Sequence, residues 1–316
     1  MSQKEMRAVY AQTLIELAEK DDRIVILEAD LMKASGTTCF KNTYPDRTFD
    51  MGVAEANMVG AAAGLSAGGK IPFATTFGCF ASRRAYDQFF ISANYAHLNV
   101  KLVGTDPGVS AAFNGGTHMS FEDMGIMRDV PRLIVFEPSD PVSLKQLVKE
   151  SAYYEGCTYM RLHRKPLPEL YDENETFELG KGKVLKDGSD ITLIACGGIM
   201  VGEALKAWQQ LKEKGVSAAV IDMHTIKPID KDLVLKYAKQ TGAIVTCENH
   251  QIMNGLGSAV SEILSENYPI LMKRIGIEDE FGEVGTQSYL QERFGLTAEH
   301  IVEVTLNLLK QSSYKK

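Results

Sequence analysis

The sequence predicts an α/β protein built as two domains with mainly parallel sheets. Three observations carry that prediction. Short apolar runs such as "RIVILEAD", "IPFATTF" and "ITLIACGG" alternate with longer stretches of helical periodicity, the order that strand–helix–strand units require. Two such series flank a polar stretch, residues 165 to 190, rich in proline, glycine and acids, which reads as a connection between domains. The runs end in acids, glycines or aromatics, the residue types that face ligands where parallel strands stop.

Taken in order, residues 4 to 19 place apolar side chains at 6, 9, 10, 14 and 17, an amphipathic helix. "RIVILEAD" follows as a buried strand ending in acids, and residues 55 to 67 form a helix of small residues closed by a glycine pair. "IPFATTF" is a strand, 81 to 97 a helix, and "VKLVGTD" a strand. "PRLIVFEPSD" is a strand running into the N-cap of a helix at 140 to 154, and "TYMRLHR" closes the series. The second series comprises "ITLIACGG", a helix to 214, "SAAVIDM", a helix near 231 to 239, "GAIVTCEN", a helix from 254, "PILMKRIGI" and a last helix from 298. The expected division is 1–165, a connection 166–189, and 190–316.

Bulk properties narrow the function. A chain of 316 residues can bury two cores. Hydrophobic residues at 45% and charged residues at 24% are ordinary for a soluble globular protein. A net charge of −7 gives no electrostatic reason to expect nucleic acid or an anionic membrane. No apolar run reaches the length of a membrane span, and "MSQKEMRAVY" lacks the apolar core of a signal peptide. The five cysteines, at 39, 79, 157, 196 and 247, include no CxxC pair. Free thiols in a reducing cytoplasm, without structural zinc, are therefore expected.

Two glycine-rich turns invite a nucleotide reading. "GGIMVG" at 197 to 202 follows a strand, as a phosphate cradle would, but its spacing is not GxGxxG, and a tight strand-to-helix turn explains it as well. "GLGS" at 255 to 258 reads as close packing or a helix start.

The chemistry lies elsewhere. Glu55 is the one acid in "MGVAEANMVGAAAGLSAGGK". It either complements a helix dipole or enters an apolar segment, where a carboxylate must be paired, solvated or protonated. "FDMGVAEANMVGAAAGL", "PFATTFGCF", "FNGGTH" and "RLHR" follow in this order, each at a strand end or a helix start.

On those motifs the chain resembles the C-terminal portion of transketolase, and more broadly the thiamine diphosphate enzymes. The resemblance covers essentially the whole chain, as a pyrimidine-binding domain followed by the transketolase C-terminal domain. It implies that Glu55 shares a proton with the cofactor's aminopyrimidine and thereby enables loss of the thiazolium proton. Apolar burial would raise the carboxyl's proton affinity for that task. It implies that Phe77 and Phe80 stack on and flank the pyrimidine, where the residues alone read equally as core. Asp30 matches an acid near the thiazolium and the subunit interface, or serves as a turn cap. His118 matches the histidine that contacts the donor sugar's hydroxyls, and Arg164 a phosphate-binding arginine, a role suited to its planar fork.

Departures from the family pattern fall around the substrate. Asn114 replaces an aspartate before the histidine, and His163 stands where serine is usual. Asp106 replaces a phosphate-holding histidine and would repel phosphate. Arg83 replaces a tyrosine. "RRAYDQ" resembles deoxyxylulose phosphate synthase instead, so Arg83 and Arg84 are candidates for the lost anion contact, or else a solvated basic face.

No GDG motif occurs in the chain, although the family uses one to hold Mg²⁺ or Ca²⁺ against the diphosphate. The resemblance therefore implies half of a split transketolase. An N-terminal partner subunit would carry GDG and the metal, and the assembly would be a dimer of heterodimers. The implied activity is transfer of a two-carbon ketol unit between sugar phosphates, as in pentose phosphate metabolism. The alternatives are the beta subunit of a 2-oxoacid dehydrogenase and a non-catalytic regulatory α/β module.

Overall fold

Parallel strands cannot be joined by tight turns, so the chain must cross over the sheet between them, and helices do this throughout. The structure, a computed structural model, describes residues 4–313. Its strands are β1 (Ile24–Glu28), β2 (Thr48–Asp50), β3 (Ile71–Phe77), β4 (Lys101–Thr105), β5 (Ile134–Phe136), β6 (Thr158–Leu162), β7 (Lys183–Lys186), β8 (Ile191–Ala195), β9 (Ala218–Asp222), β10 (Thr225–Lys227), β11 (Ala243–Gln251) and β12 (Leu271–Ile277).

They form two sheets, ordered β10-β5-β6-β4-β3-β1-β2 and β12-β11-β8-β9-β7. Every pairing is parallel except β10 with β5 and β7 with β9. The α/β class with two mainly parallel sheets is thus as expected.

Both sheets are covered on both faces, which explains the continuous apolar runs. Along β1, Ile24 and Ile26 enter the core shared with Met6, Tyr10 and Leu14 of the first helix. Val25 and Leu27 enter another, which also holds Ile194 and Ile221 of the second sheet. This is the period-two alternation of a strand buried on each side. The second sheet's other face packs Leu193 and Val220 against Met200 and Ile301.

Several elements differ from the sequence expectation. β2 lies in the approach to the Glu55 helix, and β7 lies inside the stretch read as a connection. β10 leaves the second series to pair antiparallel with β5 of the first sheet. The helix expected over 81 to 97 is broken into Gly78–Arg83, Tyr86–Gln88 and a π-helical segment Phe89–Tyr95. Ala85, at φ −112° and ψ 7°, leaves the helical region between the first two. The helix Pro141–Tyr153 begins as expected, with Asp140 accepting from the Ser143 N–H in a reciprocal capping box.

Neither glycine turn holds a nucleotide cradle. Gly197 has φ 73°, and a Cβ there would overlap Glu137 Oε1, so an acid fills the space a phosphate would need. At the other turn, Glu248 accepts the N–H groups of Leu256 and Gly257 at 2.7 and 2.8 Å, capping a helix start. The five cysteines are free thiols, Cys39 exposed and the rest buried. Among the described residues no helix is long and apolar enough to cross a membrane.

Candidate active site

Because the strands of the first sheet run parallel, the residues that follow them collect at one edge. Asp30 follows β1, Phe77 ends β3, Asp106 follows β4, and His163 and Arg164 follow β6. β2 leads to the helix Glu55–Ala67, whose first residue is Glu55. His118 arrives on the loop after β4, in a short 3₁₀ turn, Gly116–His118.

Side chains join most of these into one contiguous cluster. Glu55, 4% exposed, pairs through Oε1 with Arg84 Nη1 at 2.9 Å. The Arg84 guanidinium also lies over the Phe80 ring, 3.8 Å from its centroid. Phe77, Phe80 and His118 form a three-ring group with centroids 5.2 to 5.8 Å apart. Arg164 lies 5.2 Å from the Phe77 centroid and pairs through Nη2 with Asp106 Oδ2 at 2.5 Å.

This places Glu55 differently from the expectation of apolar surroundings. The carboxylate is buried, but a cation that is itself 48% exposed sits against it. Asp106 also has a partner the sequence did not indicate. Arg83 and Arg84 are closer to it in sequence than Arg164 is, yet β4 and β6 are hydrogen-bonded neighbours with Thr105 opposite Leu162, so the residues beyond them meet. Burial pushes the Asp106 carboxyl's proton affinity up, and the Arg164 guanidinium works against that.

Arg83 is committed elsewhere. It donates to the carbonyls of Cys79 and Thr117 at 3.1 and 3.0 Å and pairs with Glu122 at 3.2 Å. It thereby ties the helix after β3 to the loop that carries His118. That loop also rests on the C-terminal half of the chain: a Cβ on Gly116 would overlap the Gly282 carbonyl oxygen, so the backbones touch where "NGGTH" has its second glycine. His118 is half-buried, with Nδ1 2.9 Å from Thr117 Oγ1. His163 is buried, and burial followed by the charges of Lys165 and Arg164 pushes it down to about 4.

Two expected site residues lie apart from the cluster. Asp30 is exposed at φ 62°, its N–H donating to Asp50 Oδ1 at 3.0 Å. Asn114 is exposed at the end of the 3₁₀ segment Gly108–Asn114.

Sequence reasoning missed two buried groups beside the site. Glu28, two residues before Asp30, is fully buried. Burial raises it to about 7, although Ser35 and Thr37 hydroxyls donate to it at 2.6 and 2.5 Å. Arg161, in the same "RLHR" as Arg164, is fully buried. It meets Asp123 at 2.9 Å, Glu137 at 2.6 Å and the Asn249 carbonyl at 2.9 Å, so it joins the two sheets. Burial opposes its charge, but Asp123 and Glu137 outweigh that and hold it protonated. A signal was present: a lone arginine in the apolar strand "TYMRL" must find acids if buried. Among the described residues no group of three or more His, Cys, Asp or Glu is placed to hold a metal ion.

Comparison with known proteins agrees with this architecture. The transketolase pyrimidine-binding domain profile matches residues 2–169, and the transketolase C-terminal domain profile matches residues 180–301. The chain is 49% identical over 310 residues to the 6-deoxy-6-sulfo-D-fructose transketolase subunit of Clostridium sp. (strain MSTE9), covering 98% of this chain and 96% of the relative. It is 36% identical over 307 residues to an apulose-4-phosphate transketolase subunit of Phocaeicola vulgatus, covering 96% and 97%. A solved structure described as a split-gene transketolase, inactive beta4 tetramer, superposes with TM-score 0.90 at 42% identity, covering 98% of this chain and 99% of that one.

Proposed function

We propose that this chain, which belongs to the transketolase family as the C-terminal subunit of a split enzyme, works in transfer of a two-carbon ketol unit between sugar phosphates. Its part is the pyrimidine half of the thiamine diphosphate site together with a sugar-binding wall. The observation that carries this reading is the unbroken cluster from Glu55 through Arg84, Phe80, His118, Phe77 and Arg164 to Asp106.

The residues fit that cofactor on one point of geometry. A flat, nitrogen-rich cation, the Arg84 guanidinium, already lies on Phe80 and against Glu55, and an aminopyrimidine presents the same chemistry to both. When bound, thiamine diphosphate supplies the carbanion chemistry. Glu55 accepts and returns a proton at its carboxylate. Phe77 and Phe80 give an apolar wall that keeps water from that proton. With His118 Nδ1 against Thr117 Oγ1, Nε2 is the nitrogen left for sugar hydroxyls. Arg164 binds the substrate's terminal anion, and Asp30 and Asn114 complete the rim toward the partner.

The division of labour follows the sequence, with residues 1–165 around the pyrimidine and 190–316 supporting them. A partner subunit carries the diphosphate and metal ligands, Mg²⁺ or Ca²⁺, in a dimer of heterodimers. The beta4 tetramer described as inactive supports the inference that this chain needs that partner.

One observation favours a second reading of the substrate. The Asp106 carboxylate offsets the Arg164 guanidinium at the anion end. That suits a monoanionic sulfonate better than a dianionic phosphate, and the relative from Clostridium is named for a sulfosugar. The test is ketol transfer by the chain reconstituted with its partner, on sugars ending in phosphate, sulfonate or hydroxyl. Either anion should exceed the hydroxyl sugar, and Glu55→Gln should lose about 10²–10⁴-fold in rate. Full activity of Glu55→Gln would remove the reading.

A further inference from the structure

The opposite edge of the first sheet, where the chain enters its strands, carries a second concavity. Arg23 precedes β1, Lys70 precedes β3, Asn99 precedes β4, Arg132 precedes β5 and Gly156 precedes β6. These five residues converge on a cleft of about 550 Å³. None of them belongs to the cluster around Glu55, which lies at the other end of the same strands. A second cavity of about 450 Å³ adjoins it, sharing Asn94, His97, Pro131 and Arg132 and adding Phe90 and Tyr95. The combined space is of the size that holds a cofactor-sized ligand.

The lining is cationic at one end and apolar at the other. Lys70, His97 and Arg132 line the first cleft, where the one acid is Glu155. Arg23 is neutralised by Asp21 at 2.7 Å. Among the described residues no acid pairs with Arg132; its guanidinium donates to His97 Nδ1 at 3.4 Å. Arg132, held by an imidazole nitrogen and not by a carboxylate, keeps donors that an anion would complete.

Both members of that pair sit at left-handed backbone angles, φ 56° for His97 and φ 62° for Arg132. Such strain persists only where the surroundings enforce it. Beneath the wall, Lys101 is fully buried and donates to the carbonyls of Tyr154 and Gly156 at 2.7 and 2.8 Å. Burial pushes it down to about 7, so an anion nearby would favour its protonation. At the other end Tyr95, 76% exposed on the π-helical segment Phe89–Tyr95, offers an aromatic face beside Phe90 and Pro131. Irregular turns of this kind recur at functional sites.

We propose that this double cleft binds a nucleoside phosphate, its phosphates on Arg132, His97 and Lys70 and its base against Tyr95 and Phe90. The inference stands on the cleft alone and is independent of the ketol-transfer reading. The experiment is titration calorimetry of the full chain with ADP, pyrophosphate and adenosine as probes, repeated for Arg132→Ala and Tyr95→Ala. Both substituted side chains are exposed, so both variants should fold, which circular dichroism checks.

ADP should bind saturably with Kd below about 1 mM and more tightly than adenosine or pyrophosphate. Arg132→Ala should weaken ADP and pyrophosphate about tenfold or more, whereas Tyr95→Ala should weaken ADP and spare pyrophosphate. Proton uptake on ADP binding, seen as a buffer-dependent heat near pH 7, is the expected signature of Lys101. ADP binding that is absent, or equal in wild type and Arg132→Ala, overturns the proposal. Equal binding of ADP and pyrophosphate, with Tyr95→Ala silent, would mean a simple anion site and overturns the nucleoside assignment. Loss of ADP binding in an Asp106→Asn/Arg164→Met variant would place the ligand at the other edge and overturns it too.

Discussion

Replacing Arg164 with methionine should do two things that a second substitution can separate. The Asp106 side chain is 2% exposed, and apart from the Arg164 contact neither of its carboxylate oxygens has a hydrogen-bond partner. Removing the guanidinium strands a buried charge, for which about 3–5 kcal/mol is typical. The lower end applies here, because Arg164 is partly exposed and the carboxyl can take up a proton instead. A loss of about 3 kcal/mol, set against the unfolding entropy of a chain of 316 residues, lowers Tm by roughly 4–5 °C. Asp106→Asn removes the charge that needed a partner and should cost about 1 kcal/mol. The double variant should then recover about 2 kcal/mol relative to the sum of the single changes.

Binding should behave differently from stability. If Arg164 holds the substrate's anion, Arg164→Met and the double variant should both raise KM for an anionic acceptor about ten- to a hundredfold. Asp106→Asn alone should lower KM, because it frees the guanidinium. Melting curves and steady-state kinetics on the reconstituted complex give both quantities. Additive melting temperatures would refute the coupling of the buried pair. A KM unchanged in the double variant would refute the anion role of Arg164.

Three further outcomes are expected. Arg84→Ala removes the partner of a carboxylate that is 4% exposed and should cost about 1–3 kcal/mol, yet it should tighten thiamine diphosphate binding to the complex about three- to tenfold by clearing Glu55 and Phe80. Weaker binding would mean that the guanidinium stays on Glu55 in the loaded site. Arg161→Met strands Asp123 and Glu137 in the junction between the sheets and should cost at least about 3–5 kcal/mol, read as lost soluble yield or a lowered urea midpoint; a midpoint near wild type would show the network to be dispensable. Glu28, Asp222 and Glu248, raised to about 7, hold protons when folded that the unfolded chain releases, so their contribution is present at acid pH and lost as pH rises through about 7. His163, His224 and His250, lowered to about 4, act with the opposite sign, losing stability as pH falls from about 6.5 to 4. The two sets offset each other, so the urea midpoint should vary little between about pH 5 and 7. Glu28→Gln should unmask a decline toward pH 5, and a decline equal to wild type would contradict the sign of the Glu28 shift.

The fold was legible because its determinants are local. Apolar runs of strand length and the Asp140 cap are visible without knowing what packs on what. β10 was not legible: "TIK" is three residues long and its partner β5 lies about ninety positions earlier. The break at Ala85 was hidden by continuous helical periodicity.

The site divides in the same way. Glu55 opens a helix, Phe77 ends a strand and Arg164 follows one, and it was the family resemblance, not residue type alone, that singled out these three with Phe80 and His118. What they pair with depends on strand order. β4 lies between β3 and β6, which brings Asp106 to Arg164 and leaves Arg83 and Arg84 to Thr117 and Glu55. Glu28 was read only as one of the acids that end its strand, and Arg161 was missed because a charged residue inside an apolar strand reads as an interruption until its buried partners are known.

If this chain holds one half of a shared cofactor site, neither half should retain the cofactor without the other. Thiamine diphosphate with Mg²⁺ can be titrated into the chain alone, into its partner subunit alone and into an equimolar mixture. Saturable binding is expected in the mixture, at one cofactor per pair of chains, and none tighter than about 1 mM for this chain by itself. Micromolar binding by this chain alone, with ketol transfer to match, would contradict the shared site.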